Sequence, residues 1–117
     1  MDDEHANVLF KLLEDEKYKD NSFLIYALSK FKKTENKKNA IVFAINELKQ
    51  PNHSNEVIAN LIYVLQKFKA LEAKSVIASF VNFPKNYKRG KASIDKEKFQ
   101  FVEDKHIRKV AQKALAS

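Results

Sequence analysis

Apolar residues along most of the chain recur at spacings of three and four, the period of amphipathic α-helices. Their stripes predict six helices. The stripe residues are, in chain order, Val8, Leu9, Leu12 and Leu13; Leu24, Ala27, Leu28 and Phe31; Ala40, Ile41, Ala44, Ile45 and Leu48; Ile58, Leu61, Leu65 and Phe68; Ala73, Val76, Ile77, Phe80 and Val81; and Ile107, Val110, Ala111, Ala114 and Leu115. The pattern therefore predicts an all-α fold.

Residues that favour helix ends stand between these stripes. Asp2 or Asp3 is expected to cap the first helix, Asn21 or Ser22 the second, and Ser54 the fourth, because short polar side chains bond the first backbone N–H groups of a helix. The two prolines are expected to end the third and fifth helices, since the residue before a proline avoids helical geometry.

A phrase of nine residues occurs twice in the sequence. Residues 24–32 reappear as residues 61–69 with seven of nine positions identical, at a separation of 37 residues. A recurrence with this period indicates a helical repeat, in which one pair of helices packs on the next.

The last predicted helix extends this pattern. Its spacing, Asp104-x-x-Ile107-Arg108-x-x-Ala111-x-x-Ala114-Leu115, resembles the first-helix pattern of HEAT-type repeats. The same template falls on the helix that begins at Ser54 and, more loosely, on a segment that begins at Lys17. These starts lie 37 and 50 residues apart. The longer second gap predicts an inserted loop at about residues 84–100.

The resemblance to HEAT-like (HEAT/armadillo-type) repeat proteins implies one domain over residues 1–117. Its expected architecture is a short right-handed solenoid of about three antiparallel helical pairs. A generic helical bundle would also satisfy the periodicity of the stripes.

Composition narrows the class of protein. One glycine and two prolines leave little turn chemistry for an all-β fold, and the absence of cysteine excludes disulfides and thiolate metal sites. The N-terminus is acidic where a signal peptide would be basic, and no apolar run approaches the length of a membrane span. The sequence therefore predicts a cytoplasmic protein without a membrane partner.

Charge is distributed unevenly along the chain. The net charge is +7, made up of −4 over residues 1–20, +5 over 21–83 and +6 over 84–117. A basic body favours an anionic partner, either an acidic protein surface or nucleic acid. The alternative is that the lysines reflect composition alone.

Catalytic chemistry finds no support in the sequence. His5, His53 and His106 stand apart and are interpreted as surface or cap-adjacent histidines. There is no metal-ligand spacing, no phosphate-binding glycine loop and no nucleophile motif. We therefore expect a non-enzymatic protein with no catalytic, cofactor-binding or metal-binding residues.

Partner binding is the better supported class. Tyr26 and Tyr63 occupy equivalent repeat positions beside the apolar stripe, so both are expected to border one groove. The alternative is that they seal the edge of the core. The predicted loop supplies a second group of candidates, which mixes cations with an aromatic ring as phosphate-contacting or acidic-protein-contacting loops do. These residues are Lys85, Tyr87, Lys88, Arg89 and Lys91.

Two functions follow as hypotheses. The first is a protein–protein interaction module that binds an acidic partner, for example a small bacterial inhibitor or immunity-type protein that neutralises a toxin. The second, alternative, function is binding of the nucleic-acid backbone, which the resemblance to HEAT-like proteins related to DNA-alkylation repair also implies.

Overall fold

The structure is a computed structural model that describes residues 3–18, 20–51, 53–85, 87 and 102–116. Within these ranges all regular secondary structure is helical, which confirms the all-α prediction. The α-helices are α1 (Ala6–Glu14), α2 (Ser22–Ala27), α3 (Thr34–Leu48), α4 (Asn55–Lys67), α5 (Lys74–Ala78) and α6 (Asp104–Ala116). Short 3₁₀ helices span Asp3–His5, Leu28–Lys30 and Leu71–Ala73.

Some sequence predictions fall outside the described residues. Most of the predicted inserted loop does so, and among the named candidates Asp2, Lys88, Arg89 and Lys91 do so as well. Lys85 and Tyr87, which lie at the start of that loop, are described.

Two of the predicted helix caps are confirmed. The side-chain oxygen of Asn21 accepts hydrogen bonds from the backbone N–H groups of Phe23 at 3.0 Å and Leu24 at 3.1 Å, at the start of α2. The Ser54 hydroxyl oxygen accepts from the N–H of Val57 at 3.3 Å and caps α4. Both side chains satisfy N–H groups that the helix itself leaves unbonded.

The prediction that Asp3 caps the first helix is wrong. The N-cap residue of α1 is His5, which makes no capping bond through its side chain. The Asp3 carboxylate instead accepts hydrogen bonds from the N–H groups of Lys32 and Lys33 and from the Asn36 side chain, at the N-terminus of α3. The bond from Asn36, followed by the backbone bonds, lowers the pKa of Asp3. The Asp3 carboxylate thus holds the two residues that directly precede α3, the second of which lies 30 residues further along the chain.

The core is centred on α4. This helix packs against α2, α3 and α6, and seven of its 13 residues are buried. Its fully enclosed apolar residues are Val57, Ile58, Leu61, Ile62, Val64 and Leu65. Each of the other α-helices contributes at least one buried apolar side chain to the same cluster, so the described helices share one core.

Polar contacts fix how α4 lies against its neighbours. The Asn60 amide donates to the Ser22 carbonyl at 2.9 Å, and further along the same helices Tyr63 meets Tyr26. Because both partner numbers increase together, α2 and α4 run in the same direction. The Asn55 amide donates to the Val102 carbonyl at 2.9 Å and to Asp104 Oδ1 at 2.8 Å, so α4 and α6 begin at the same end of the molecule.

Other helices pack against α4 and α6. α3 packs on α4, and α5 packs on α6. The Arg108 guanidinium donates to the Phe83 carbonyl at 2.7 Å and holds the turn after α5 against α6. The Cα atoms extend over 36 × 33 × 20 Å. A thickness of 20 Å is that of about two layers of helices, each roughly 10 Å across.

Candidate functional site

Tyr26 and Tyr63 form a stacked pair on the surface. Their ring centroids are 5.6 Å apart and the ring planes differ by 14°. Tyr26 is 40% exposed and Tyr63 is half-buried. The structure therefore brings together two residues that the repeat had placed at equivalent positions. Their role in binding a partner stays a prediction.

Two further side chains extend this surface along α2. The Lys30 ammonium lies 5.0 Å from the centroid of the Tyr26 ring, within the range of a cation–π contact. Phe23, one turn before Tyr26 and on the same side of the helix, is 85% exposed. We call the surface formed by Phe23, Tyr26, Lys30 and Tyr63 the aromatic face. Phe23 was not singled out from the sequence, although it is absent from the apolar stripe of the second predicted helix.

Tyr87 has an internal role. Its hydroxyl accepts a hydrogen bond from the His53 backbone N–H at 2.9 Å and donates to the Gln50 carbonyl at 3.3 Å. Its ring packs against Phe80 and Phe83, with centroids 5.8 and 5.3 Å away. These contacts anchor the segment after Pro84 to the connection between α3 and α4.

Lys85 and Tyr87 also line a cleft of about 600 Å³. The cleft opens between the C-terminal end of α3, with the residues that follow it, and α5 with its following turn. Its polar lining comes from Lys49, Gln50, Ser79, Asn82, Lys85 and Tyr87. Of the predicted loop candidates, the structure thus places these two at one concave site, and it does not bring either of them to the aromatic face.

His53 lies at the centre of a buried cluster that sequence reasoning missed. It directly precedes the cap residue of α4, as expected of a cap-adjacent histidine, but it is only 4% exposed, so the prediction of a surface position is wrong. Its Nδ1 lies 2.8 Å from Asp20 Oδ1, and its Nε2 lies 3.4 Å from Glu47 Oε1.

The two carboxylates hold His53 in its charged form. Burial on its own disfavours the imidazolium and would lower the pKa of His53, but the hydrogen bond to Asp20 and the negative charges of Asp20 and Glu47 outweigh burial and raise the pKa to about 9. The contact at 3.4 Å is an ion pair that lacks the alignment of a good hydrogen bond.

This cluster joins three segments of the chain through ion pairs to His53. Each imidazole nitrogen faces a carboxylate, so neither nitrogen is presented to a substrate. In the described part of the chain, no group of three or more His, Cys, Asp or Glu side chains is arranged to hold a metal ion. The other two histidines, His5 and His106, are exposed.

The helices of the described ranges are too short or too polar to cross a bilayer; α3, with 15 residues, is the longest of them.

Comparisons with known proteins assign no family to the chain: no protein-family model, no curated protein and no solved structure matches it significantly.

Proposed function

We propose that this chain is a non-enzymatic protein-binding module whose aromatic face binds an acidic surface of another protein. The observation that carries the proposal is the stacked pair of the exposed Tyr26 and the half-buried Tyr63, with Lys30 against the Tyr26 ring and Phe23 beside it. Tyrosine rings offer a large, rigid contact area with a polar tip, and such residues dominate the energetics of protein interfaces.

Charge around the aromatic face supports an acidic partner. Lys30 is itself part of the face, and Lys67 lies one turn beyond Tyr63 on α4 and is exposed. Helix α2 and the residues that follow it to position 33 contain no acidic residue, and Glu56 in the first turn is the one acid of α4. A partner that presents carboxylates beside an apolar patch would complement both parts of this surface.

The stacked pair is also organised before any partner arrives. Each ring is packed against the other, and Tyr26 is held further by Lys30, so few rotamers remain to be lost on binding. A preorganised surface gains affinity because less conformational entropy is lost on association. Small inhibitors such as immunity-type proteins depend on tight binding of this kind, and an inhibitor is the particular role that we propose within this class.

A HEAT-like solenoid is the arrangement that we propose for the helices. Its support is the order of packing: α2, α4 and α6, which carry the three copies of the sequence template, lie side by side in chain order. The helix before each of them packs against it, α1 on α2, α3 on α4 and α5 on α6. In such a stack the aromatic face would lie across the boundary between two repeats, where solenoids bind partners.

The proposal is tested by capture and quantitative binding. Proteins retained from a lysate by the wild-type chain are identified, and the purified partner is titrated against variants by calorimetry. Tyr26→Ala combined with Tyr63→Ala is expected to weaken binding on the order of 30-fold, as loss of an interface hot spot does. Tyr18→Ala is the matched control, since Tyr18 is half-buried with Lys17 over its ring at 5.5 Å and is not one of the residues of the aromatic face. Equal affinity of the wild type and the double variant would contradict the proposal.

Binding of nucleic acid is the alternative prediction, and salt dependence separates the two. A protein that neutralises several phosphates loses affinity steeply as salt rises. The test titrates a fluorescent DNA duplex at increasing salt, with Lys88→Glu/Arg89→Glu as the variant. A steep salt dependence that the variant abolishes would favour nucleic acid, whereas no retention of duplex at low salt would exclude it.

A further inference from the structure

The cleft beside α5 has both an apolar and a cationic side. Leu48 and Phe80, which belong to the core, and the half-buried Val76 supply apolar surface. Lys49 and Lys85 supply two exposed ammonium groups from opposite sides, the first following α3 and the second from the turn after α5. Its volume of about 600 Å³ lies inside the range of small-molecule sites.

The polar lining favours an anion over a cation. None of the described residues that line the cleft is an Asp or a Glu, whereas two are lysines and two, Gln50 and Asn82, carry amide N–H donors. The Gln50 carbonyl already accepts from the Tyr87 hydroxyl, and the carboxylate of Glu47, which precedes the lining residue Leu48, faces His53. Charge and hydrogen-bonding capacity thus both complement a negative group.

We propose that this cleft is a binding site for a small organic anion, in which a carboxylate, sulfonate or phosphate group contacts Lys49 and Lys85 while an apolar body lies against Val76 and Phe80. The site shares no residue with the aromatic face. It therefore goes beyond the protein-binding function, and the two proposals can be tested independently. Ligands of this chemistry bind where a few charged groups orient an otherwise apolar molecule.

Two fluorescent probes that differ in one group test the proposal. Anilinonaphthalene sulfonate has an apolar aromatic body with a sulfonate, and phenylnaphthylamine has the same body without it. We expect the sulfonate to bind the folded protein in a one-to-one complex on the order of tenfold more tightly than the neutral probe. Lys49→Glu combined with Lys85→Glu should abolish this difference and leave the affinity for phenylnaphthylamine unchanged.

Charge and location each have a matched control. Lys11→Glu combined with Lys109→Glu changes the net charge equally at exposed positions on α1 and α6, and it should leave sulfonate binding within about twofold. Ala78→Trp places a large ring in the cleft from an exposed position on α5 and should reduce binding of both probes. Tyr26→Ala combined with Tyr63→Ala should retain both probes.

Folding of each variant is checked by circular dichroism and by cooperative unfolding. If Ala78→Trp does not fold, the wild type locates the probe, because amide chemical shifts of Gln50, Ser79 and Asn82 should change on titration with the sulfonate. The proposal is overturned if the sulfonate does not bind, if it binds no more tightly than phenylnaphthylamine, if the double charge reversal leaves its affinity unchanged, or if the shifted amides lie elsewhere.

Discussion

His53 joins four separate parts of the chain. Its imidazole lies between Asp20, in the connection from α1 to α2, and Glu47 in α3, while its backbone N–H donates to Tyr87. His53 itself precedes the cap of α4. His53 thus contacts three other segments, of which those at Asp20 and Tyr87 lie 33 and 34 residues away in sequence. The charge on its ring should govern how firmly these segments are held together.

This charge predicts a stability that depends on pH. The pKa of His53 is about 9 in the folded chain against an ordinary value of 6.5, so the folded state binds the proton more tightly than the unfolded state. The contribution is fully present below about pH 6.5 and is lost as pH rises through about 9. The difference corresponds to at most roughly 3 kcal/mol of unfolding free energy. Urea unfolding at a series of pH values measures it.

Substitution of His53 tests whether this residue causes the pH dependence of the unfolding free energy. His53→Gln should flatten the decline in unfolding free energy between about pH 6.5 and 9, because glutamine does not titrate. His106→Gln, at an exposed position on α6, is the control and should leave the profile as in the wild type. A decline that survives in His53→Gln would assign the effect to other groups.

The contacts of a single residue could be predicted from the sequence only where its partners are close to it along the chain. The caps at Asn21 and Ser54 bond N–H groups within three residues, so local spacing was sufficient to predict them. The repeat placed Tyr26 and Tyr63 at equivalent positions bordering one groove, but it did not predict that their rings stack. The partner Asp20 lies 33 residues from His53, and no local pattern could join the two.

At the scale of elements, the helices are joined through polar contacts at their N-termini. The Asp3 carboxylate binds the start of α3, and the Asn55 amide at the start of α4 binds Val102 and Asp104 at the start of α6. These bonds set the relative position of neighbouring helices, whereas apolar packing alone tolerates sliding. The position of α6 should therefore depend on Asn55, which is buried.

Removing the Asn55 amide should destabilise the fold measurably. In Asn55→Ala the Val102 carbonyl and the Asp104 carboxylate both lose a donor, and a buried hydrogen-bonding group left unsatisfied costs about 1–3 kcal/mol. Chemical denaturation measures the loss. Asn46→Ala, at an exposed position of α3, is the matched control and should change the unfolding free energy by less than about 0.5 kcal/mol. Equal effects of the two substitutions would show that the bridge to α6 contributes nothing.

The sequence predicted which helices exist better than where they end. The second helix was expected to continue to Phe31, but α2 ends at Ala27 and a 3₁₀ turn follows. The Ser29 hydroxyl is buried and donates to the Tyr26 carbonyl at 2.7 Å, and such local side-chain bonds compete with the regular helical pattern. The stripe that predicted a longer helix was nevertheless correct about burial, since Leu28 and Phe31 are both enclosed.

At the scale of the whole molecule, the chain forms a thin two-layer body with α4 in its middle. The Cα radius of gyration of 13.6 Å is close to the roughly 13 Å expected of a compact domain of this length. Helical stripes and the scarcity of glycine and proline were sufficient to predict the all-α class. They could not decide between a solenoid and a bundle, because both bury stripes of the same period, and the choice depends on which helices are neighbours.

The central position of α4 predicts a hierarchy of local stability. Amides at 61–65 lie in a helix that packs against α2, α3 and α6, whereas Ile77 is the one buried residue of α5. Native-state hydrogen exchange should therefore show α4 opening only with global unfolding and α5 opening at lower free energy. Leu61→Ala, at a fully buried position, should lower the α4 value and the global unfolding free energy together, by about 2–5 kcal/mol. If amides of α5 exchange as slowly as those of α4, the core is not organised around α4 and the helices unfold as one unit.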